Sequence, residues 1–193
     1  MKVLLATRNP GKIKVYRKYL LPSVELVTLA ELGLTQEFEE KEKTFEANAR
    51  AKAQFYFNLS GLFTIAEDSG FEIDYFHGEP GVKSRRWLGH QATDAELVDH
   101  LRTIIPTIPQ DRRTARFVAV SCLMKSAEKI YCAHNAIEGF VSNDIRPVHQ
   151  PGFPYNTCFI AKDFNKHIED LTPAEIEKVG HRFINIQSLN KYL

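Results

Sequence analysis

Hydrophobic and polar residues follow two different periods along this 193-residue chain. Short apolar runs at residues 2–6, 24–29 and 62–66 predict buried strands. Apolar positions three and four apart predict a helix after residue 12 and a second helix from Thr44, its N-cap, to about residue 59. Strand-like and helix-like segments therefore follow one another from the start of the chain.

Two capping boxes mark helix starts in the second half of the chain. The box at Thr93–Glu96 predicts a helix that ends near Pro106, and the box at Thr172–Glu175 predicts a short helix that Gly180 ends. A closing amphipathic helix is predicted over residues 183–189.

Two long segments between these helices predict a hairpin. Residues 114–125 and 129–141 are rich in Val, Phe, Ile and Tyr, and only a short turn separates them. Three arginines, Arg112, Arg113 and Arg116, open the first of these strands. They are either a phosphate or RNA patch or a charged strand edge, and the strand edge is the simpler interpretation.

Composition indicates one soluble globular domain over residues 1–193, with 44% hydrophobic and 25% charged residues. Lys and Arg minus Asp and Glu gives 25 − 24 = +1, so charge alone suggests neither nucleic acid nor a membrane as a partner. No segment is long and apolar enough to span a bilayer, and the short N-terminal run does not predict a signal peptide. Cys122, Cys132 and Cys158 match no zinc spacing, and we expect reduced, mostly buried thiols in a cytosolic protein.

Adjacent carboxylates make residues 65–86 the most informative stretch for chemistry. Glu67 and Asp68 follow the apolar run at 62–66, and Ser69-Gly70 predicts a tight turn directly after them. Carboxylates clustered at a strand end suit a hard divalent cation or the activation of a water. The alternative is a solvated acidic turn.

A polar loop before the first predicted helix is a candidate anion site. It runs from Thr7 through Asn9 to Lys12, and a helix N-terminus beside a lysine favours phosphate. An ordinary strand–turn–helix explains the same pattern. The acidic residues at 37–42 are either a solvated loop or the source of one glutamate that shares a metal with Asp68.

Two later signals are weak when taken alone. Residues 152–156 place aromatic side chains in a rigid loop, where they either stack on a flat base or fill the core. His181-Arg182 at a helix start can donate hydrogen bonds to an anion or a carbonyl oxygen.

The order of the motifs is more specific than any one of them. They are Thr7-x-Asn9-x-x-Lys12; Glu40 with Thr44-Phe45-x-x-Asn48-Ala49-x-x-Lys52-Ala53; Asp68-Ser69-Gly70; Pro80-Gly81-x-x-Ser84-x-Arg86; Arg113-x-Ala115-x-Phe117; Gly152-Phe153-x-Tyr155; and His181-Arg182. This series resembles the inosine triphosphate pyrophosphatase family, the HAM1-like enzymes that act on noncanonical purine nucleoside triphosphates. The resemblance runs from residue 3 to about residue 190.

The resemblance implies an α/β fold: an elongated, mixed and twisted central sheet with flanking helices, in two lobes around a substrate cleft. It also implies a cytoplasmic homodimer that acts in nucleotide metabolism. The implied reaction is Mg²⁺-dependent hydrolysis of ITP, dITP or XTP between the α and β phosphates, which gives a monophosphate and pyrophosphate.

The same resemblance implies roles for individual residues. Thr7, Asn9 and Lys12 would hold the phosphates, Glu40 and Asp68 would bind Mg²⁺, and Asp68 would also be the general base. Phe153 would stack on the purine, and His181 with Arg182 would read the 6-oxo group. The further substrate contacts implied are Ser69, Tyr155, Asn156 and Lys178.

The chain departs from the family pattern in the base loop and in one helix. The family's Gly-Phe-Gly-Tyr-Asp-Pro loop has Pro154, Asn156 and Thr157 here, so a carboxylate is missing from the base pocket. Gly180 replaces a serine, and the segment 172–181 is about five residues shorter, so Lys178 does not match the register of the family's lysine. Two functions follow: an active pyrophosphatase, or a divergent member that binds nucleotide with weak catalysis or altered base specificity.

Overall fold

The structure of the protein, a computed structural model, describes residues 1–193 and contains a mixed sheet of eight strands flanked by helices. The strands are β1 (Lys2–Leu5), β2 (Glu25–Thr28), β3 (Phe63–Ile73), β4 (Pro80–Gly81), β5 (Thr114–Ser126), β6 (Lys129–Val141), β7 (Phe159–Ala161) and β8 (Lys166–His167). The α-helices are α1 (Pro10–Tyr19), α2 (Phe45–Ser60), α3 (Asp94–Ile104), α4 (Pro173–Val179) and α5 (His181–Asn190). The predicted α/β class is confirmed, and none of the helices is long and apolar enough to cross a membrane.

The sheet combines parallel and antiparallel pairs in the order β2-β1-β3-β5-β6-β7-β8, with β4 on β3. Strand β1 is parallel to β2 and to β3, with Leu5 opposite both Thr28 and Ile65. Only two residues connect β5 to β6, which requires an antiparallel pair and confirms the predicted hairpin. Strands β7 and β8 continue antiparallel.

The chain divides into two compact units, each built from separated segments. The first comprises Met1–Ser69, Ala119–Asn135 and His181–Leu193, and the second comprises Gly70–Val118 and Ala136–Gly180. Each unit has its own apolar core. The second core is centred on Phe71, whose ring lies 4.7 Å from that of Phe117 and 5.0 Å from that of Tyr155.

The core of the first unit packs against one face of β3. Ile65 packs with Val3 and Leu5 from the neighbouring strand and with apolar residues of α1 and α5. Successive strand residues point to opposite faces, so Glu67 shares the face of Ile65 while Asp68 lies on the other face. The two adjacent carboxylates therefore face different surroundings.

Strand β3 corrects the sequence prediction. The turn expected at Ser69-Gly70 is absent, because the strand continues to Ile73 and pairs with β4, Phe71 lying opposite Gly81. Gly70 accepts an extended backbone as readily as a turn, and the ladder to β4 fixes the extended form. Glu67 and Asp68 are thus buried within a strand rather than solvated at its end.

The cysteine prediction is partly wrong. Cys122 of β5 and Cys132 of β6 form a disulfide, with 4.1 Å between their Cα atoms, whereas Cys158 is free and buried as expected. The two bonded residues lie ten positions apart across the tight turn of the hairpin, which places them side by side. An odd number of cysteines does not reveal such a pair.

Candidate active site

The loop between β1 and α1 is shaped by its own polar side chains. Asn9 is the N-cap of α1, and its Oδ1 accepts hydrogen bonds from the backbone N–H groups of Gly11 (2.9 Å) and Lys12 (3.2 Å). Thr7 Oγ1 accepts from the Asn9 N–H at 3.2 Å. Because Asn9 uses its oxygen for the cap, its amide N–H₂ is the end of the side chain suited to an anion.

Lys12 lies in the first turn of α1, beside the buried carboxylate of Glu67. Its Nζ is 3.2 Å from Glu67 Oε1. Burial lowers the pKa of Lys12, and the charge of Glu67 partly offsets that effect. Burial alone would raise the pKa of Glu67, but Arg182 and Lys12 outweigh burial and hold that pKa well below its usual range. Glu67 is therefore ionised.

Asp68 has the opposite electrostatic setting. Its side chain is buried, and burial followed by the nearby charge of Glu40 raises its pKa to about 6. Asp68 Oδ1 accepts from the backbone N–H of Ser69 at 2.8 Å, and Oδ2 accepts from Asn48 Nδ2 at 2.9 Å. A carboxylate that is fixed in place and has a raised pKa has the properties of a general base.

Glu40 lies in the loop before α2 and forms an ion pair with Lys52 of that helix. The same helix carries Asn48, whose amide also contacts the backbone of Glu42 on both sides: Oδ1 accepts from the Glu42 N–H at 3.0 Å, and Nδ2 donates to the Glu42 carbonyl at 3.3 Å. One buried amide therefore contacts Asp68 and the segment that carries Glu40.

Glu40 and Asp68 are the carboxylates that fit a divalent cation. Glu40 raises the pKa of Asp68, so the two negative charges repel one another, and a cation between them would relieve that repulsion. No group of three or more His, Cys, Asp or Glu side chains is arranged to hold a metal ion. Two carboxylates without a cage suit Mg²⁺, which keeps several waters and shares substrate phosphates.

His181 and Arg182 open helix α5. The Arg182 guanidinium donates to Glu67 Oε1 through Nε at 2.9 Å and to Ser69 Oγ through Nη2 at 3.0 Å. His181 is buried, and burial, followed by the charge of Arg182, holds its pKa well below the usual value. The imidazole is therefore neutral at physiological pH.

The remaining predicted residues belong to the second unit. Phe153 is half-buried and precedes a 3₁₀ turn at Pro154–Cys158. Pro154 opens this turn, and the fixed φ of proline suits that position. Tyr155 packs in the core, and its hydroxyl donates to the Ser84 carbonyl at 2.5 Å. Asn156 is half-buried, and Lys178 is exposed in the last turn of α4.

The first unit thus brings together Thr7, Asn9, Lys12, Glu40, Asp68, Ser69, His181 and Arg182. Their roles stay predictions, as do those of the second unit's residues. The expected charged strand edge is wrong, because β5 lies between β3 and β6 in the sheet. Arg116 instead forms ion pairs with Glu72, Asp74 and Glu138, which explain its charge without a phosphate or RNA.

Three polar residues that support the site, Tyr16, Asn48 and Lys52, received no individual role from the sequence. Tyr16 follows Lys12, and Lys52 follows Asn48, at a spacing of four, so each pair lies on one helix face. All four side chains contact carboxylates of the site. Polar residues at core-facing helix positions were therefore the available signal.

The local backbone explains why glycine replaces the family's serine at position 180. Its N–H donates to the Ile176 carbonyl at 2.7 Å and ends α4. A Cβ at this position would lie 2.4 Å from that same carbonyl oxygen, so a serine does not fit this connection.

Comparisons with known proteins agree with this arrangement. The sequence model of the Ham1 family matches residues 3–192. A dITP/XTP pyrophosphatase of Bacillus subtilis is 35% identical over the whole chain and 96% of its own length. A HAM1 protein structure from Coxiella burnetii matches with a TM-score of 0.85 and 26% identity, covering 100% of this chain and 98% of that one. A crystal structure of a nucleoside-triphosphatase / dITP/XTP pyrophosphatase from Mycobacterium abscessus matches with a TM-score of 0.75 and 33% identity, covering 100% and 99%. The resemblance of the motifs is confirmed, and the chain belongs to the Ham1 family.

Proposed function

We propose that this protein hydrolyses ITP, dITP and XTP to the monophosphate and pyrophosphate, and so removes these nucleotides from the cellular pool. The observation that carries the proposal is Asp68: a buried carboxylate with a pKa of about 6, held at both oxygens and close to Glu40. Its relatives are named dITP/XTP pyrophosphatases, which supports the substrate class.

The phosphates are assigned to the loop before α1. Lys12 supplies a charge, while Thr7 and Asn9 supply a hydroxyl and an amide at the helix N-terminus. These groups neutralise the triphosphate and hold it in one orientation. Orientation by fixed groups is a large part of catalysis in phosphoryl transfer.

Mg²⁺ is assigned to Glu40 and Asp68, where it would neutralise phosphate charge and help activate the attacking water. Asp68 is the proton acceptor for that water. Each of its oxygens accepts one hydrogen bond from the protein, and each has a second lone pair that remains for a further partner.

Base selection is assigned to His181 and Arg182, with Phe153 as a stacking surface. A neutral imidazole donates one N–H, and a guanidinium donates several, so both suit a 6-oxo purine. An adenine would place a donor against these donors and leave them unpaired. Ser69, Tyr155, Asn156 and Lys178 complete the proposed set of substrate contacts.

A second candidate is a divergent member that binds nucleotide with weak catalysis or altered base specificity. The amide at Asn156 and the seven-residue helix α4, with Lys178 exposed at its end, favour this alternative. We place either form in the cytoplasm as a homodimer, without nucleic acid or membrane as a partner.

Turnover of a nucleoside triphosphate panel separates the two candidates. Pyrophosphate release is measured for ITP, dITP, XTP, GTP and ATP, with Mg²⁺ and with EDTA. The proposal is supported if pyrophosphate release depends on Mg²⁺ and is faster with ITP, dITP and XTP than with GTP and ATP. Tight ITP binding with negligible release would support the weakly catalytic alternative.

A further inference from the structure

Glu67 is a buried carboxylate to which the proposed mechanism gives no role. Its side chain is 1% exposed, and it lies on the face of β3 opposite the catalytic Asp68. A charge removed from water must be compensated by partners of good geometry. For Glu67 those partners are Lys12 and Arg182, which are assigned to opposite ends of the nucleotide.

A single oxygen of Glu67 contacts both cations. Oε1 lies 2.9 Å from Arg182 Nε and 3.2 Å from Lys12 Nζ. Both cationic side chains are themselves largely buried, so water screens these contacts only weakly. The position of this oxygen therefore determines where both cations lie.

The other oxygen of Glu67 ends a chain of hydrogen bonds. Oε2 lies 3.1 Å from Tyr16 Oη, which lies 2.7 Å from Ser121 Oγ, which lies 3.2 Å from Asn185 Nδ2. An ionised carboxylate only accepts, so Tyr16 donates its one proton to Glu67 and must accept from Ser121, while the Asn185 amide nitrogen donates to Ser121. Each hydroxyl proton then has an acceptor, and the carboxylate is fixed at both oxygens.

These hydrogen bonds and ion pairs connect two helices to Glu67, a residue of β3. Lys12 and Tyr16 are four apart on α1, and Arg182 and Asn185 are three apart on α5. Asn185 also donates to the Ala119 carbonyl of β5 at 2.9 Å. On each helix, a contact in the Glu67 network therefore lies about one turn from the residue that would contact the nucleotide, Lys12 on α1 and Arg182 on α5.

We propose that Glu67 is a positioning residue that sets the spacing between Lys12, at the phosphates, and Arg182, at the base. With this spacing fixed, a nucleotide must match the positions of both cations at the same time. The inference rests on the proposed function for the roles of these two cations, and it adds the element that connects them.

The test uses one probe for each end of the site. Dissociation constants are measured for inorganic pyrophosphate and for inosine with the wild-type chain, Glu67→Gln and Lys12→Met. Glu67→Gln should weaken both probes by about tenfold or more, because Lys12 and Arg182 lose the carboxylate oxygen that fixes their positions. The loss of a negative charge by itself would favour pyrophosphate, so weaker pyrophosphate binding reports the loss of positioning. Lys12→Met should weaken pyrophosphate alone. The matched control is Glu46→Gln on α2, whose carboxylate pairs with Arg50 in solvent and which should change neither constant.

The double variant Lys12→Met/Glu67→Gln distinguishes positioning from a general structural role. If Glu67 acts on the phosphate end through Lys12, the double variant binds pyrophosphate as Lys12→Met does, within about twofold, while inosine binding stays as weak as in Glu67→Gln. Losses that multiply for pyrophosphate would overturn the inference. If Glu67→Gln alone does not fold, the double variant, with one fewer unpaired cation, is compared with Lys12→Met, and unchanged inosine binding overturns the inference.

Turnover by the wild-type chain separates this inference from the proposed function. If the wild-type chain hydrolyses ITP but Glu67→Gln binds both probes normally, the positioning role alone is rejected. If the wild-type chain neither hydrolyses ITP nor binds pyrophosphate and inosine, the proposed function fails and the inference fails with it.

Discussion

Replacing Asp68 by asparagine should inactivate the enzyme and, at the same time, make the metal-free protein more stable at high pH. Burial and the charge of Glu40 raise the pKa of Asp68 from the ordinary 3.8 to about 6. A carboxyl group with a raised folded-state pKa stabilises the protein only while it is protonated. That stability is lost as the pH rises through the folded pKa, and an asparagine does not lose it.

The size of the effect follows from the two pKa values. At pH 8 the ionised Asp68 costs the folded state about 3 kcal/mol, and at pH 5 roughly half of that. Asparagine turns an N–H₂ toward the Asn48 donor and loses that hydrogen bond, which costs about 1–2 kcal/mol at every pH. We therefore expect the variant to gain about 1–2 kcal/mol at pH 8 and close to nothing at pH 5.

The assay is denaturant unfolding of both proteins in EDTA at pH 5 and pH 8. The stability difference between variant and wild type should be about 1–1.5 kcal/mol larger at pH 8, because the hydrogen-bond loss cancels. Added Mg²⁺ should stabilise the wild type and not the variant, and ITP turnover should fall by about 10²–10⁴-fold or more. A stability difference that does not grow with pH would contradict the electrostatic reasoning. Near-normal turnover would show that the base is assigned wrongly.

Three further substitutions test separate parts of the account. Asn48→Ala removes the donor to Asp68 and both contacts to the Glu42 backbone, so the Mg²⁺ concentration for half-maximal ITP hydrolysis should rise by about tenfold or more; an unchanged Mg²⁺ titration would contradict this role. Asn156→Asp restores the family's carboxylate and should raise the ratio of kcat/KM for ITP over ATP; an equal ratio in both chains would reject the idea that Asn156 relaxes base selection. Thr93→Ala removes the cap of α3 and should lower the unfolding free energy by about 1 kcal/mol without changing KM, which thermal unfolding and ITP kinetics check together.

The helices were predictable because local signals specify them. The capping boxes of α3 and α4 and the N-cap of α2 are all present in the structure. Strand β3 shows the limit of such signals, since Ser69-Gly70 favours a turn locally while pairing between Phe71 and Gly81 keeps the chain extended. Tertiary pairing overrides local preference there.

The candidate site likewise has a part that the sequence predicts and a part that it does not. The order of motifs identified the family, and the resemblance predicted roles for Lys12, Glu40 and Asp68. The contacts of Glu67 could not be predicted, because its partners Tyr16 and Arg182 lie 51 and 115 residues away in the chain. Adjacent carboxylates looked alike in sequence, and only their opposite strand faces gave one a lowered pKa and the other a raised one.

The most direct test of the central claim is the product of a single turnover of ITP with Mg²⁺, separated by ion-exchange chromatography. We expect IMP and pyrophosphate in equal amounts, with no product when EDTA replaces Mg²⁺ and much less product from ATP. IDP and inorganic phosphate as products, or faster turnover of ATP than of ITP, would contradict it.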